Sequence, residues 1–112
     1  MNEFELFSLI YIALDEYYDS ETCDNDINTF ISGLSPFTFT NIGSADPCEY
    51  KKYQKFINGR KITIDNSLEI AKEYIKQIDY VDVREPFEVM TEQEWKSACN
   101  TYLSEPHKGM DL

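Results

Sequence analysis

The sequence predicts an all-α protein, a compact irregular bundle of about five helices around a central apolar N-terminal helix. Three observations support this prediction. The segment from Phe4 to Leu14 is apolar except for Glu5 and Ser8, and a helix that is apolar nearly all round must be covered on most of its sides. Later segments carry apolar residues at helical spacing between recognisable caps. Alternation typical of strands is confined to one short stretch that has no partner run to pair with.

The first two helices follow from the apolar segment and from a cap. We expect helix 1 to run from about Glu3 to Tyr18. Asp24 or Asn25 can cap a second helix, because short polar side chains accept hydrogen bonds from the free N–H groups of a first turn. Apolar residues recur at helical spacing in this second segment, namely Ile27, Phe30, Ile31 and Leu34.

A loop separates the second helix from the third. Ser35-Pro36 ends helix 2, because the residue before a proline is disfavoured in the helical region. The residues from 36 to 47 alternate weakly between aromatic and polar side chains. We interpret them as an extended loop that tucks Phe37 and Phe39 under the helices.

Two further helices have clear boundaries. Asp46-Pro47 is a helix start, with a cap followed by proline at the first helical position, and Asn58-Gly59 is a typical helix end. One face of this third helix is apolar, with Tyr50, Tyr53, Phe56 and Ile57. We expect Asp65 or Asn66 to cap helix 4, whose apolar stripe comprises Leu68, Ala71, Ile75 and Ile78.

The C-terminal third contains one more predicted helix. We interpret residues 80–86 as a linker, followed by an apolar patch of Phe87, Val89 and Met90. Thr91 and Glu94 form a capping box for the fifth helix. Its apolar face carries Trp95, Ala98, Cys99, Tyr102 and Leu103. We therefore expect a single helical domain over residues 1–104 and a flexible tail over residues 105–112.

Charge is distributed very unevenly along the chain. The net charge is −11, and residues 1–50 contain ten acidic residues but no lysine or arginine. Such a field repels nucleic acid and anionic lipid, and it speeds the encounter with a basic partner. The apolar N-terminal segment is also too short for a bilayer span, which takes about 20 residues. We therefore expect neither a nucleic-acid nor a membrane partner, although acidity that serves only solubility gives the same composition.

No residue pattern predicts a metal, cofactor or catalytic site. The segment from Asp24 to Asn28 matches the opening of a calcium-binding EF loop, but Thr29 replaces the required glycine and Ser35 the bidentate glutamate. The single histidine, His107, has no cysteine or second histidine near it in the sequence. Three widely spaced cysteines without a C-x-x-C pair favour a reduced, cytoplasmic setting, although their number allows one disulfide. We expect a protein that is not an enzyme and has no cofactor.

One short segment resembles a known family. Asp65-Asn66-Ser67-Leu68-Glu69 resembles the Asp-Ser-Leu motif of acyl carrier proteins, with Asn66 inserted. The resemblance covers five residues and implies that Ser67, which opens a helix, would carry a phosphopantetheine group. The following helix is mixed in charge, with Lys72 and Lys76, where carrier proteins present an acidic helix. We interpret Ser67 as an ordinary first-turn residue and retain the carrier as an alternative.

The remaining feature is Tyr17-Tyr18 within residues 15–26, which contain six acids and are called the acidic run below. Acids at the C-terminal end of a helix oppose its macrodipole, so their position after Leu14 brings no stability. Tyrosines often anchor protein interfaces, and carboxylates around them would steer and pair with basic residues of a partner. The alternative is that one tyrosine closes the core and the acids are only solvated. The predicted partner-binding residues are Asp15, Glu16, Tyr17, Tyr18, Asp19, Glu21, Asp24 and Asp26.

These observations predict a small acidic protein-binding module. Its most concrete form is an immunity or antitoxin-type inhibitor, which neutralises a basic toxin, for example a nuclease, by covering the toxin's cationic cleft with carboxylates. The expected partner is a basic, toxin-like protein, and the chain itself is expected to be a monomer or a weak dimer. The alternative is a regulatory or scaffold domain that binds through exposed aromatic and apolar groups, with Phe37, Phe39, Phe87 and Met90 as candidates. A carrier protein or an enzyme is the least favoured interpretation.

Overall fold

Six α-helices follow one another along the chain in a computed structural model, which describes residues 1–112. They are α1 (Glu3–Tyr17), α2 (Asn25–Leu34), α3 (Pro47–Ile57), α4 (Ile64–Gln77), α5 (Glu85–Val89) and α6 (Glu92–Ser104). The structure contains no strand, so the all-α prediction is confirmed. The radius of gyration of the Cα atoms is 13.2 Å, close to the value of about 13 Å expected for a compact chain of this length.

The apolar N-terminal helix α1 lies at the centre of the bundle. It contacts each of the other five helices. Its Phe7 ring lies 5.0 Å from the Tyr50 ring and 4.8 Å from the Tyr53 ring of α3, measured between centroids. The helix begins with a capping box in which Asn2 and Glu5 exchange hydrogen bonds. No helix of the structure has both the length and the apolar character needed to cross a bilayer.

Three of the predicted helix starts are confirmed. The Asp24 side chain caps α2 by accepting a hydrogen bond from the Asp26 N–H group. Asp46 caps α3 in the same way, with Pro47 as the first helical residue. Thr91 and Glu94 form the expected capping box of α6. These starts were predictable because each cap joins residues that are two or three positions apart.

The predicted start of α4 is wrong. Neither Asp65 nor Asn66 is the cap, since the helix begins at Ile64 and Thr63 caps it. The Thr63 hydroxyl accepts a hydrogen bond from the Asn66 N–H group, and the Asn66 side chain accepts one from the Thr63 N–H group. Asn66 therefore takes the position that Glu or Gln holds in most capping boxes, which conceals the motif in the sequence.

The sequence also missed α5, which lies where a linker and an apolar patch were expected. Phe87 of this five-residue helix is 1 % exposed, and its ring centroid lies 6.1 Å from that of Trp95. A helix of this length is too short to show periodicity and depends on tertiary packing for its stability. The helix count is therefore six, and α5 accounts for the difference from the predicted bundle.

The loop between α2 and α3 differs from its predicted arrangement. Phe37 and Phe39 were expected under the helices, but they are 46 % and 59 % exposed. The backbone at the two ends of the loop is joined by hydrogen bonds from the Ala45 N–H group to the Ser35 carbonyl and from the Asp46 N–H group to the Gly33 carbonyl, both 2.8 Å. These bonds join the two ends of the loop, and the two exposed phenylalanines lie between them.

The C-terminal segment, residues 105–112, packs against the N-terminal end of α1, whereas the sequence predicts a flexible tail. The Asn2 side chain donates a hydrogen bond of 2.9 Å to the Gly109 carbonyl. The His107 ring contacts the Glu5 carboxylate at 2.6 Å. Both contacts join residues more than 100 positions apart, so no local pattern in the sequence indicates them.

Candidate partner-binding surface

The acidic run begins where α1 leaves the core. Leu14 is fully buried, whereas Asp15 and Glu16 in the last turn are exposed. No basic residue occupies this last turn, so these carboxylates oppose the helix dipole without compensation. Neither carboxylate makes a hydrogen bond or an ion pair within the protein. Both are free to meet an external cation.

A tight turn links α1 to α2 and is held by Asp19. The Asp19 carbonyl accepts a 2.8 Å hydrogen bond from the Cys23 N–H group, and its carboxylate accepts one of 2.8 Å from the Glu21 N–H group. Asp24 then caps α2, and Asp26 lies in the first turn, where a negative charge favours the helix. Asp19 and Asp24 thus have structural roles, whereas the exposed Glu21 carboxylate has no partner within the protein.

Two tyrosines lie at the junction. The Tyr17 and Tyr18 rings meet edge to face, with their centroids 5.1 Å apart. Tyr17 is 43 % exposed, whereas Tyr18 is half-buried against the core. The structure therefore agrees in part with each interpretation of this pair, because Tyr18 packs on the core and Tyr17 remains accessible.

The tertiary structure adds an acid that the sequence analysis missed. Glu85 of α5 lies beside both tyrosines: burial and then the nearby Glu85 carboxylate raise the pKa of Tyr17 and of Tyr18. Both hydroxyls therefore stay protonated and able to donate hydrogen bonds. No sequence signal pointed to Glu85, because its proximity depends on how α5 packs against α1.

Near Glu85, one basic residue is already neutralised. Arg84 contacts Asp82 through two hydrogen bonds of 2.9 and 3.0 Å. Hydrogen bonding to the Arg84 guanidinium lowers the pKa of Asp82 to about 2. Because Arg84 pairs with Asp82, the Glu85 carboxylate has no ion-pair partner.

The other lysine and arginine ion pairs lie elsewhere on the molecule. Lys52 pairs with Glu49, Arg60 with Glu73, and Lys96 with both Asp65 and Glu92. None of the six acids of the acidic run takes part in an ion pair. The surface from α1 to α2 is therefore an acidic patch without internal counter-charge.

The residues considered for the alternative functions are separated by the fold. Phe37 and Phe39 are exposed, but Phe87 is buried and Met90 is half-buried, so the four do not form one accessible patch. Ser67, the residue aligned with the carrier-protein serine, is fully buried. Its hydroxyl accepts a hydrogen bond from the Trp95 indole and donates one to the Ile64 carbonyl, both 2.8 Å.

No three histidine, cysteine, aspartate or glutamate side chains cluster as metal ligands. The three cysteines are free, and Cys99 is fully buried. Burial raises the pKa of the Cys99 thiol, so it is a poor nucleophile.

Comparison with protein-family models, with curated proteins and with solved structures gave no match to this chain.

Proposed function

We propose that the protein is a small acidic protein-binding module of the immunity or antitoxin type, which neutralises a basic toxin by covering its cationic surface. The observation that supports this proposal is the acidic run, a set of exposed carboxylates around Tyr17, none of which forms an ion pair within the protein. Unpaired carboxylates at the C-terminal end of a helix oppose its dipole and do not stabilise the fold. Residues that lower stability without a structural benefit are expected at functional sites.

The chemistry of the surface defines the partner. Unpaired carboxylates accelerate diffusion of a cationic surface toward them and then pair with its lysines and arginines. Tyr17 supplies a rigid, amphipathic ring of the kind found at interface hot spots. A basic protein, for example a nuclease whose cleft binds phosphates, fits this surface, and the inhibitor would meet it in the cytoplasm as a non-enzymatic monomer or weak dimer.

The test uses two variants that remove equal charge from different surfaces. The run variant replaces three unbonded carboxylates, Asp15→Asn, Glu16→Gln and Glu21→Gln. Asp19, Asp24 and Asp26 are left unchanged because they hold the turn, cap α2 or favour its first turn. The control variant neutralises three exposed acids outside the acidic run, Glu69→Gln, Asp79→Asn and Glu105→Gln.

We expect immobilised wild-type protein and the control variant to retain the same basic protein from a lysate of the native cell at low salt, and to release it at high salt. The run variant should associate about tenfold more slowly at low salt, because electrostatic steering contributes about 10- to 1,000-fold to association rates. Equal association rates for the run variant and the wild type would contradict the assignment of the surface.

Inhibition is tested separately from binding. The captured basic protein, expressed alone, should arrest growth, and co-expression of the wild-type inhibitor should restore it. The run variant should restore growth less well than the control variant. A captured protein whose activity is the same with and without the wild-type protein would contradict inhibition.

A second candidate function is favoured by one observation, the exposure of Phe37 and Phe39. A regulatory or scaffold domain that bound a partner through these rings would hold it by apolar contacts. Retention of such a partner would be nearly insensitive to salt, which separates this candidate from the inhibitor in the same capture experiment.

A further inference from the structure

The loop of residues 35–46, called the aromatic loop below, is held in place at several points. Its ends are joined by the two backbone hydrogen bonds described above. The Lys108 ammonium of the C-terminal segment donates hydrogen bonds of 2.5 Å to the Pro36 carbonyl and 2.6 Å to the Phe39 carbonyl. Loops with joined ends of this kind are frequently functional. The backbone beneath the exposed rings is therefore positioned by another part of the molecule.

This constrained loop presents apolar side chains to solvent. Phe37, Phe39 and Ile42 are 46 %, 59 % and 39 % exposed. No charged residue occurs between Ser35 and Ala45. Exposed rings contribute little to the stability of the fold. Because the backbone that carries them is constrained, they are already arranged for binding, which lowers the entropic cost of association.

The aromatic loop is continuous with the acidic run. The Phe37 ring packs edge to face on the Tyr11 ring of α1, with their centroids 5.9 Å apart. Tyr11 and Asp15 are four residues apart on α1, so their side chains are neighbours on the helix surface. The Phe37 ring therefore lies about one helical turn from the first unpaired carboxylate of the acidic run.

We propose that the aromatic loop extends the partner-binding surface and selects arginine over lysine in the basic partner. An arginine guanidinium is planar and weakly hydrated, so one arginine can stack on Phe37 while Asp15 pairs with its charge, and another can stack on the exposed Phe39 ring. A lysine ammonium is a strongly hydrated point charge and gains less from the rings. This inference rests on the proposed function, because the acidic run supplies the attraction that brings the basic segment to the loop.

The test compares two peptides of equal charge, oligo-arginine and oligo-lysine of the same length with blocked termini. Their affinities for the full-length protein are measured by calorimetry at low salt and at about 0.15 M salt. Two cation–π contacts should make wild-type protein bind oligo-arginine about 5- to 30-fold more tightly than oligo-lysine. The preference should persist at the higher salt, while both affinities fall.

Three variants locate the source of the preference. Replacing Phe37 and Phe39 together by alanine should remove the arginine preference and leave oligo-lysine affinity nearly unchanged. The same pair replaced by leucine keeps apolar area but removes the aromatic faces, so the preference should fall there too. Val89→Ala, at an apolar residue that is 60 % exposed on α5, is the control and should leave the preference intact.

The outcomes separate this inference from the proposed function. Equal affinity of wild-type protein for the two peptides, or a preference that survives the alanine variant, would overturn the inference about the loop. Equal peptide binding by the run variant and the control variant would overturn the acidic run as the binding surface. Far-UV circular dichroism and urea unfolding of each variant show that the fold is retained.

Discussion

At the residue scale, His107 lies between two hydrogen-bond acceptors. Its Nδ1 lies 2.7 Å from the Glu105 carbonyl oxygen, and its Nε2 lies 2.6 Å from a Glu5 carboxylate oxygen. Because a carbonyl and a carboxylate only accept, the ring satisfies both contacts as hydrogen bonds when both of its nitrogens carry a proton, that is, as an imidazolium. Burial lowers the pKa of His107, but the hydrogen bonds to Glu105 and Glu5 outweigh it and the net pKa is raised.

This arrangement predicts a pH dependence of stability. A group whose pKa is raised by folding contributes its full stability below its unfolded pKa, about 6.5 for histidine, and loses it as pH rises through the folded pKa. At low pH we expect wild-type protein to exceed His107→Gln in free energy of unfolding by about 1.5–3 kcal/mol. Urea unfolding between about pH 5.5 and 8.5 should show this difference shrinking as pH rises. Parallel pH profiles of the two proteins would contradict the pairing.

Ser67 is the second residue whose role the structure defines. Ser67→Ala leaves the buried Trp95 indole N–H group without its acceptor, so the free energy of unfolding should fall by about 1–3 kcal/mol. Ser97→Ala, at an exposed position within α6, should be neutral or slightly stabilising, because alanine favours helices. Urea unfolding of both variants makes the comparison. Equal stability of the two variants would show that the Trp95 hydrogen bond contributes nothing.

At the element scale, the C-terminal segment connects the start of α1 to the aromatic loop. It reaches α1 through His107 and Gly109, and it reaches the loop through Lys108. Gly109 has a φ of 81°, in the left-handed region, and a Cβ atom there would overlap the fully buried Phe4 ring. Glycine at this position therefore allows the segment to lie flat on α1.

A matched pair of glycine substitutions tests this packing. Gly59 has a φ of 74°, and no atom lies within 4 Å of the point that an alanine Cβ would occupy there. Gly59→Ala should therefore cost only the left-handed strain, about 1 kcal/mol. Gly109→Ala carries the same strain plus the overlap with Phe4, and we expect it to cost about 1–3 kcal/mol more. Urea unfolding measures both. Equal losses would show that the segment does not depend on close contact with Phe4.

At the scale of the whole molecule, the acids of the acidic run are not paired with basic residues. The ion pairs lie outside the acidic run, and residues 1–50 hold no lysine or arginine. Clustered like charges repel one another in the folded state, and salt screens that repulsion. The protein therefore retains unrelieved charge repulsion, an electrostatic strain, on the surface that we propose for binding.

This strain predicts opposite effects on stability and on binding. The run variant should have a higher Tm than wild-type protein at low salt, by about 2–5 °C, because neutralising the cluster relieves repulsion. The difference should narrow at high salt. The control variant, whose acids are dispersed, should gain less. Scanning calorimetry at two salt concentrations measures these shifts, and a lower Tm for the run variant would mean that its carboxylates stabilise the fold.

Much of the fold was accessible from the sequence because its signals are local. The caps of α2, α3 and α6 each depend on residues two or three positions apart. The central position of α1 followed from its nearly continuous apolar sequence. Short elements were less accessible, since α5 has no periodicity of its own and exists because Phe87 finds a place in the core.

The sequence by itself determined the helical class, most helix boundaries and the acidic run, because composition and spacing within a few residues control all three. Only the tertiary structure decided which distant residues come together and which aromatic side chains remain exposed. It placed Glu85 beside Tyr17, exposed Phe37 and Phe39, and bound His107 to Glu5. These relations join residues far apart in the chain, and they arise from how the helices pack around α1, which no local pattern encodes.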